Sequence, residues 1–426
     1  MNEQAWLAFG LFVIVYAFII TEKIHRTLAA LLGALVMIVF GILDQETAIH
    51  HIDFNTLGLL IGMMIIVAIT AETGLFNYIA IWSAKKAKGS PLKILLIFSA
   101  ITAVGSAFLD NVTTVLLIVP VTFSITRRLQ VPAFPYLISE VLMSNIGGTA
   151  TMIGDPPNIM IGSAVKELTF NAFIANLTAI SGLIAIVVML ILAGLYRKQL
   201  KANEAARVRL MALNERDEIT DVRLLVQSLS VLALTIAGFF LHQTIHLESA
   251  SVALIGAVLL LLMTGERQLE RALMKIEWPT IFFFIGLFVL VGGLVETGVI
   301  DAIASKAMDM TGGDTAKTSL LVLWLSALAS AFVDNIPFVA TMIPMIKEMG
   351  ELGLANPEPV WWSLALGACL GGNGTLIGAS ANVIVAGLAD HEGHDFSFMR
   401  FLKIGFPLMI LTVIMATVYV FFRYLA

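Results

Sequence analysis

Long apolar runs alternate with short polar segments along the whole chain. A membrane span needs roughly 17–25 apolar residues. By that rule the sequence predicts ten full transmembrane helices, near 4–20, 27–43, 55–70, 133–153, 172–196, 223–241, 248–264, 279–295, 359–377 and 402–424. Segments 72–84 and 297–310 are amphipathic and are expected to lie along the membrane interface. The pattern therefore predicts an all-α polytopic membrane protein.

Two further apolar segments, 93–126 and 317–347, are too long for one span and have no charged loop between their halves. Each is interrupted midway by an acid and an amide, Asp110-Asn111 in the first and Asp334-Asn335 in the second. We interpret both segments as re-entrant helical hairpins that enter and leave on the same side. Non-helical backbone at membrane depth is tolerated only where protein buries it or where it lines a cavity. The tips should therefore lie inside the protein.

The second hairpin repeats the first at a spacing of 224 residues, and the same spacing relates Thr56 to Thr280 and Pro120 to Pro344. Five predicted crossings separate Thr56 from Thr280, so the two copies should have opposite orientations. Inverted-topology repeats are typical of secondary transporters. The expected division is an N-terminal half at 1–196, a cytoplasmic linker at 197–222 and a C-terminal half at 223–426. Glycine-rich stretches predict one broken helix in each half, at 133–167 and 359–390.

Composition excludes a soluble domain, because 59% of the 426 residues are hydrophobic and only 13% are charged, with a mean hydropathy of +0.94. The net charge of -5 does not indicate a nucleic-acid-binding surface. The one cysteine, Cys369, permits no internal disulfide. With no His/Ser/Cys constellation or metal-ligand spacing, neither an enzyme nor a cofactor is expected. Basic loops assigned to the inside place both termini outside, in a multi-pass protein of the inner membrane if the source is bacterial.

Polar residues of the hairpin tips and helix breaks are predicted to converge near the membrane midplane and to bind substrate or ions. The asparagines and aspartates of the tips are the candidate sodium ligands. Simpler roles stay open, since Asp and Asn favour helix N-caps and threonine hydroxyls bond to helix carbonyls. The N-terminal amides of the second half-helices are expected to face an anion or polar ligand. The predicted set is Asp110, Asn111, Thr113, Thr149, Thr151, Asp155, Asn158, Asp334, Asn335, Asn373, Thr375, Ser380 and Asn382.

Two acids break the repeat, because Asp155 corresponds to Ala379 and Glu140 to Leu364. An unmatched acid suits an asymmetric task such as proton coupling. The sequence places Asp110, Asp155 and Asp334 deep, and no Lys, Arg or His with them. Buried carboxylates must be paired, protonated or metal-bound. This favours a carrier coupled to Na+ or H+ and argues against a highly charged anion held by arginines. A neutral oxyacid, or a small anion at helix termini, stays open.

Four strings, FLDNVTTVLLIVPVT, NIGGTATMIGDPPN, DNIPFVATMIP and GACLGGNGTLIGASANV, resemble the ion transporter superfamily. They are most similar to the group that holds the melanosomal P protein, arsenite permeases and a type of Na+/H+ antiporter. The resemblance implies a scaffold domain that dimerises, and a transport domain of hairpins and broken helices that moves like an elevator. Related dicarboxylate carriers have Ser-Asn-Thr at both tips. Only Asn111 and Asn335 match that motif, which argues against dicarboxylate transport.

The sequence therefore favours an ion-coupled permease for a small inorganic or organic anion or an oxyacid such as arsenite. Its expected partners are a small-molecule or ion substrate, the lipid bilayer and a second copy of the chain. The first alternative is a Na+/H+ antiporter whose substrate is Na+. The second is an anion channel, whose flux would follow no coupled gradient.

Overall fold

The computed structural model describes residues 3–21, 23–201 and 203–426, and every regular element within these ranges is a helix. The prediction of an all-α membrane protein is confirmed. The helices are α1 (Glu3–Thr21), α2 (Arg26–Val39), α3 (Gln45–His50), α4 (Phe54–Ala71), α5 (Leu75–Lys86), α6 (Pro91–Leu109), α7 (Asn111–Leu129), α8 (Phe134–Gly148), α9 (Pro156–Ala164), α10 (Phe170–Phe173), α11 (Ala179–Tyr196), α12 (Glu204–Met211), α13 (Val222–Leu241), α14 (Ser249–Thr264), α15 (Glu266–Met274), α16 (Trp278–Glu296), α17 (Val299–Thr311), α18 (Thr315–Phe332), α19 (Asn335–Glu351), α20 (Glu358–Gly371), α21 (Ser380–His391) and α22 (Phe398–Val420).

Within the described ranges, nine helices are long and apolar enough to cross a membrane. Six of them match predicted full spans, and the other three are hairpin arms, namely α6, α7 and α18. The remaining four predicted spans are shorter helices, namely α2, α8, α14 and α20. Arms of 19 residues are about 28 Å long at 1.5 Å per residue. Because that length approaches a full span, re-entry to mid-depth stays a prediction.

The two broken helices form the core of the protein. All 15 residues of α8 are buried, and α20 is buried from Pro359 to Gly371. α6 packs against α8, and α18 packs against α20 in the same way. Both contacts depend on glycine, because a Cβ at Gly147 would lie 2.1 Å from the Ala103 carbonyl oxygen and a Cβ at Gly371 would lie 2.5 Å from that of Ala327. These glycines have no positive φ, so close approach explains them.

A second group of helices packs together beside this core. α4 lies against α14 and α16 lies against α2, while α1 and α13 contact the same group. The closest crossings are at Gly62 against Ala253 and Gly286 against Ala30, where an added Cβ would overlap backbone atoms at 2.7 Å and 2.6 Å. The division into a scaffold and a transport domain, and any relative motion of the two, stay predictions.

The linker between the halves is docked on α5 and on the turn before it. Thr220 N donates to the Thr73 carbonyl at 3.0 Å, and Lys85 Nζ donates to Glu215 Oε2 at 2.5 Å. The Lys85 hydrogen bond lowers the pKa of the Glu215 carboxyl. Gly74 lies under the linker with φ +80°, and an added Cβ would be 1.8 Å from the Glu218 carbonyl oxygen. The linker is therefore a structured part of the molecule.

Candidate functional site

A single residue forms the turn of the first hairpin. α6 ends at Leu109 and α7 begins at Asn111, so Asp110 alone forms the turn, at φ 76° and ψ 156°. That region of the backbone map is occupied almost only by glycine, and other residues held there tend to cluster at functional sites. The Asp110 carboxylate accepts from Thr113 N at 2.8 Å and from Thr113 Oγ1 at 2.6 Å. Asp110 therefore caps α7, and the Thr113 hydroxyl hydrogen is used in that cap.

The second tip differs in its partners. Asp334 Oδ1 accepts from Ile336 N at 3.1 Å and so caps α19. Its Oδ2 accepts from Arg26 Nη1 at 2.8 Å and from Ser380 Oγ at 2.7 Å. The expectation that no basic side chain accompanies the acids is therefore wrong at Asp334. Arg26 is the first residue of α2, and its long side chain reaches the tip from a segment that the sequence assigned to a loop.

Asp155 lies between the two tips. It is fully buried, and its Oδ1 accepts from the side-chain amides of Asn111 and Asn335, both at 3.3 Å. Although Asp155 precedes α9, its side chain does not cap that helix. One unmatched carboxylate thus joins both hairpin tips, and its hydrogen-bond donors are two neutral amides and the Cys369 thiol.

The helix breaks carry equivalent hydrogen bonds at a spacing of 224 residues. The Asn158 amide donates to the Thr151 carbonyl at 2.9 Å, and Asn382 donates to the Thr375 carbonyl at 2.9 Å. The hydroxyls of Thr151 and Thr375 donate to the Ala107 and Ala331 carbonyls. Four predicted site residues therefore brace the two unwound segments. Their donor hydrogens are not available to a ligand in this arrangement.

Thr149 and Asn373 have other partners. The Thr149 hydroxyl donates to the Asn145 carbonyl four residues earlier, at 2.8 Å. Asn373 Oδ1 accepts from Asn145 Nδ2 at 2.9 Å. Thr149 therefore adopts the helix-bonding role that the sequence left open, and Asn373 belongs to the central network.

Asn145 connects the halves of the molecule and was not predicted. Its Nδ2 also donates to Asn382 Oδ1 at 3.0 Å, and its Oδ1 accepts from Asn111 at 3.1 Å. The residue that corresponds to it in the repeat is Cys369, whose Sγ lies 3.5 Å from Asn158 Oδ1. A comparison of mismatched pairs could have identified Asn145, because it differs from its counterpart as Asp155 does from Ala379.

The two broken helices differ in the amides that they expose. Pro156 and Pro157 open α9 and carry no N–H group, and Asn158 N is bonded to the Asp155 carbonyl at 2.9 Å. The expectation of free amides is therefore wrong for the first half. At α21, Ser380 N and Ala381 N have no hydrogen bond to any described residue. Only the second broken helix can present its N-terminal amides to a ligand.

Of the eight buried side-chain oxygen atoms that lack a hydrogen-bond partner within the described residues, two belong to residues that the sequence singled out. Asn111 Oδ1 is one, beside Asp155, and Glu140 Oε2 is the other. Glu140 Oε1 accepts from the Thr122 hydroxyl at 2.5 Å, away from the tips. No group of three or more His, Cys, Asp or Glu side chains suited to a metal ion occurs in the described part of the chain. The arrangement can bind one small cation or proton at Asp155, with Asn111 Oδ1 as a further neutral ligand.

Comparison with known proteins gives a family match. The family model described as a citrate transporter (CitMHS) matches residues 16–367. An uncharacterized transporter of Mycobacterium bovis is 41% identical over 425 residues, which cover 98% of this chain and 98% of that protein. The P protein of Homo sapiens is 36% identical over 495 residues, which cover 97% of this chain and 59% of the P protein.

Two solved structures share the fold. The YdaH transporter of Alcanivorax borkumensis matches with a TM-score of 0.59 and 13% identity, over 98% of this chain and 98% of its own. MtrF of Neisseria gonorrhoeae, described as one of a class of antimetabolite efflux pumps, matches with a TM-score of 0.59 and 11% identity, over 100% of this chain and 96% of its own. At these identities the similarity concerns the fold alone.

Proposed function

The chain belongs to the citrate transporter family, and from this premise we propose that it is a cation-coupled secondary transporter of a small organic or inorganic anion or oxyacid. The observation that carries the proposal is Asp155. This carboxylate is fully buried, bonded to the amides of both hairpin tips and unmatched in the repeat. A buried carboxylate without a basic partner needs a cation or a proton.

The coupling step follows from these contacts. In this structure, Asn111 and Asn335 donate to Asp155 at 3.3 Å. A cation at Asp155 attracts amide oxygen atoms and repels amide hydrogens, so both amides must turn. Because each amide begins the second arm of a hairpin, cation binding would change both tips together. Elevator-like movement of the hairpins and broken helices against the scaffold would then give alternating access.

A Na+/H+ antiporter is the second candidate. Three acids, Asp110, Asp155 and Asp334, lie at or between the tips, and Arg26 is the basic side chain that pairs with Asp334. This excess of negative charge suits a carrier whose cargo is itself a cation. The two candidates differ in whether a cation crosses without an anion.

The experiment uses the full chain in proteoliposomes, with Na+ and pH gradients imposed separately. Uptake of citrate, phosphate or arsenite that depends on a cation gradient supports the first proposal. Exchange of Na+ for protons with none of these solutes present supports antiport. Solute flux that ignores both gradients contradicts both candidates and indicates a channel.

A further inference from the structure

Arg26 lies at the wall of a cavity of about 330 Å³ that reaches the second hairpin tip. The cavity is lined by His25, Arg26, Asp334 and Ser380 together with apolar side chains of α1 and α21. The Arg26 side chain is 26% exposed, and its guanidinium lies 5.2 Å from the centre of the Phe283 ring. The charge is therefore held in place and still open to the cavity.

Only one nitrogen of that guanidinium is used. Nη1 donates to Asp334 Oδ2 at 2.8 Å and to Ser380 Oγ at 2.6 Å. Nη2 and Nε have no hydrogen bond to any described residue, although a guanidinium carries five N–H donors in a planar fork that matches carboxylate and phosphate. The free amides of Ser380 and Ala381 lie at the same end of α21. Of these two residues, Ser380 lines the cavity, so unused guanidinium donors and one free amide occur together at this wall.

Within the described residues, these donors occur at the second hairpin tip and have no equivalent at the first. The residue that corresponds to Arg26 at a spacing of 224 is Ala250, and the counterpart of Ser380 is Pro156. The equivalent place at the first tip therefore has neither a basic side chain nor a free amide. Cation chemistry at Asp155 therefore lies between the two tips, whereas donor chemistry at Arg26 lies at the second tip.

We propose that Arg26 and the N-terminus of α21 bind the anionic group of the cargo. Asp334 pairs with Arg26 as an internal counter-anion until the cargo replaces it. This inference rests on the proposed transport of an anion. Since Arg26 belongs to α2 and Asp334 to the second hairpin tip, replacement of Asp334 also releases a contact between these two elements. Anion binding and hairpin movement would thereby be linked.

The test is calorimetric binding of citrate and of inorganic phosphate to the purified full chain at fixed pH and Na+. Asp334→Asn removes the competing charge and keeps an N-cap residue. We expect it to bind at least one of the two anions about tenfold more tightly, the ratio that corresponds to one charge-assisted hydrogen bond. Arg26→Gln should weaken binding about tenfold or more, and Arg26→Lys should weaken it less. The double variant should bind no better than Arg26→Gln.

Arg127→Gln is the matched control, because it breaks an ion pair with Glu392 in which the Arg127 side chain is 70% exposed. Thermal unfolding confirms that each variant is folded. Equal or weaker anion binding by Asp334→Asn overturns the inference, as does unchanged binding by a folded Arg26→Gln or Arg26→Lys. Failure of both anions to bind Asp334→Asn overturns it too, since that variant has a freed arginine in an open cavity. If gradient-driven uptake persists in any of these cases, only the subsite is lost and the transporter proposal stands.

Discussion

At the scale of single residues, the site depends on side-chain amides as much as on acids. Asn145 donates to two acceptors of the C-terminal half, Asn373 Oδ1 and Asn382 Oδ1, and accepts from Asn111. All four side chains are buried. A buried polar network is valuable only when its members are satisfied. Asn145 is therefore expected to be as important for stability as for transport.

Asn145→Leu tests that role. The substitution leaves two buried amide oxygens without this donor, at a cost of about 1–3 kcal/mol for each acceptor that finds no other partner. We expect a lower thermal unfolding midpoint in detergent and a loss of transport. Cys369→Ser changes the corresponding residue of the repeat and retains a donor near Asn158, so its shift should be smaller. An equal shift in both variants would contradict the central role of Asn145.

At the scale of elements, the helices are interrupted where the pattern of apolar runs indicates an interruption. Asp110 and Asp334 mark the tips, and α8 and α20 end at the predicted glycines. Local signals suffice there, because a cap or a helix break is decided within a few residues. The pairing of Arg26 with Asp334 spans 308 positions along the chain. No local pattern reports such a contact, so the sequence could not predict it.

Unlike the contact between Arg26 and Asp334, the absence of free amides at the start of α9 follows from a local pattern. Pro156-Pro157 was visible in the sequence as a helix break, and its second consequence, two missing N–H donors, follows from the same two residues. The asymmetry between the halves could therefore have been predicted.

Glycine at the tightest helix contact gives an element-scale prediction. A Cβ at Gly147 would lie 2.1 Å from the Ala103 carbonyl oxygen, which is backbone of α6 and cannot turn away. Gly147→Ala should therefore separate α6 from α8 and prevent recovery of folded protein. Gly182→Ala is the control, because that glycine in α11 has nothing within 4 Å of an added Cβ. Size-exclusion chromatography of both variants measures the outcome, and normal recovery of Gly147→Ala would contradict the packing.

The docking of the linker can be tested with a matched pair of glycine variants. Gly74 and Gly298 both have positive φ, at +80° and +74°, so alanine at either position costs about 1–2 kcal/mol in backbone strain. Only Gly74 also touches the linker, whereas the nearest atom at Gly298 is Asp301 Oδ2 at 3.7 Å. Gly74→Ala should make the linker sensitive to trypsin, and Gly298→Ala should not. Equal cleavage rates in both variants would show that the linker does not depend on Gly74.

At the scale of the whole molecule, the match to a transporter family confirms the resemblance that the four motifs carried. Equivalent hydrogen bonds at Asn158 and Asn382 agree with a repeat of 224 residues. The opposite orientation of the halves in the membrane is still a prediction, since it rests on counted crossings and on the distribution of basic residues.

Single cysteines in a Cys369→Ala background test that orientation. Glu46 and Gln243 lie in exposed positions that the sequence assigns to the outside, and Glu204 lies in the linker, which it assigns to the cytoplasm. A membrane-impermeant maleimide should label cysteines at 46 and 243 in intact cells, and one at 204 only after lysis. Labelling of all three in intact cells would contradict the inverted arrangement.

The most direct test of the proposed coupling is cation-driven uptake by Asp155→Asn in proteoliposomes, with Asp314→Asn as the control. Asp314 caps α18 at an exposed position, where asparagine caps equally well. Asp155→Asn keeps the shape of the side chain and removes the charge that holds the cation between the tips. We predict that its uptake falls to the level of protein-free liposomes, whereas Asp314→Asn keeps wild-type uptake. Wild-type cation dependence in Asp155→Asn would contradict the account.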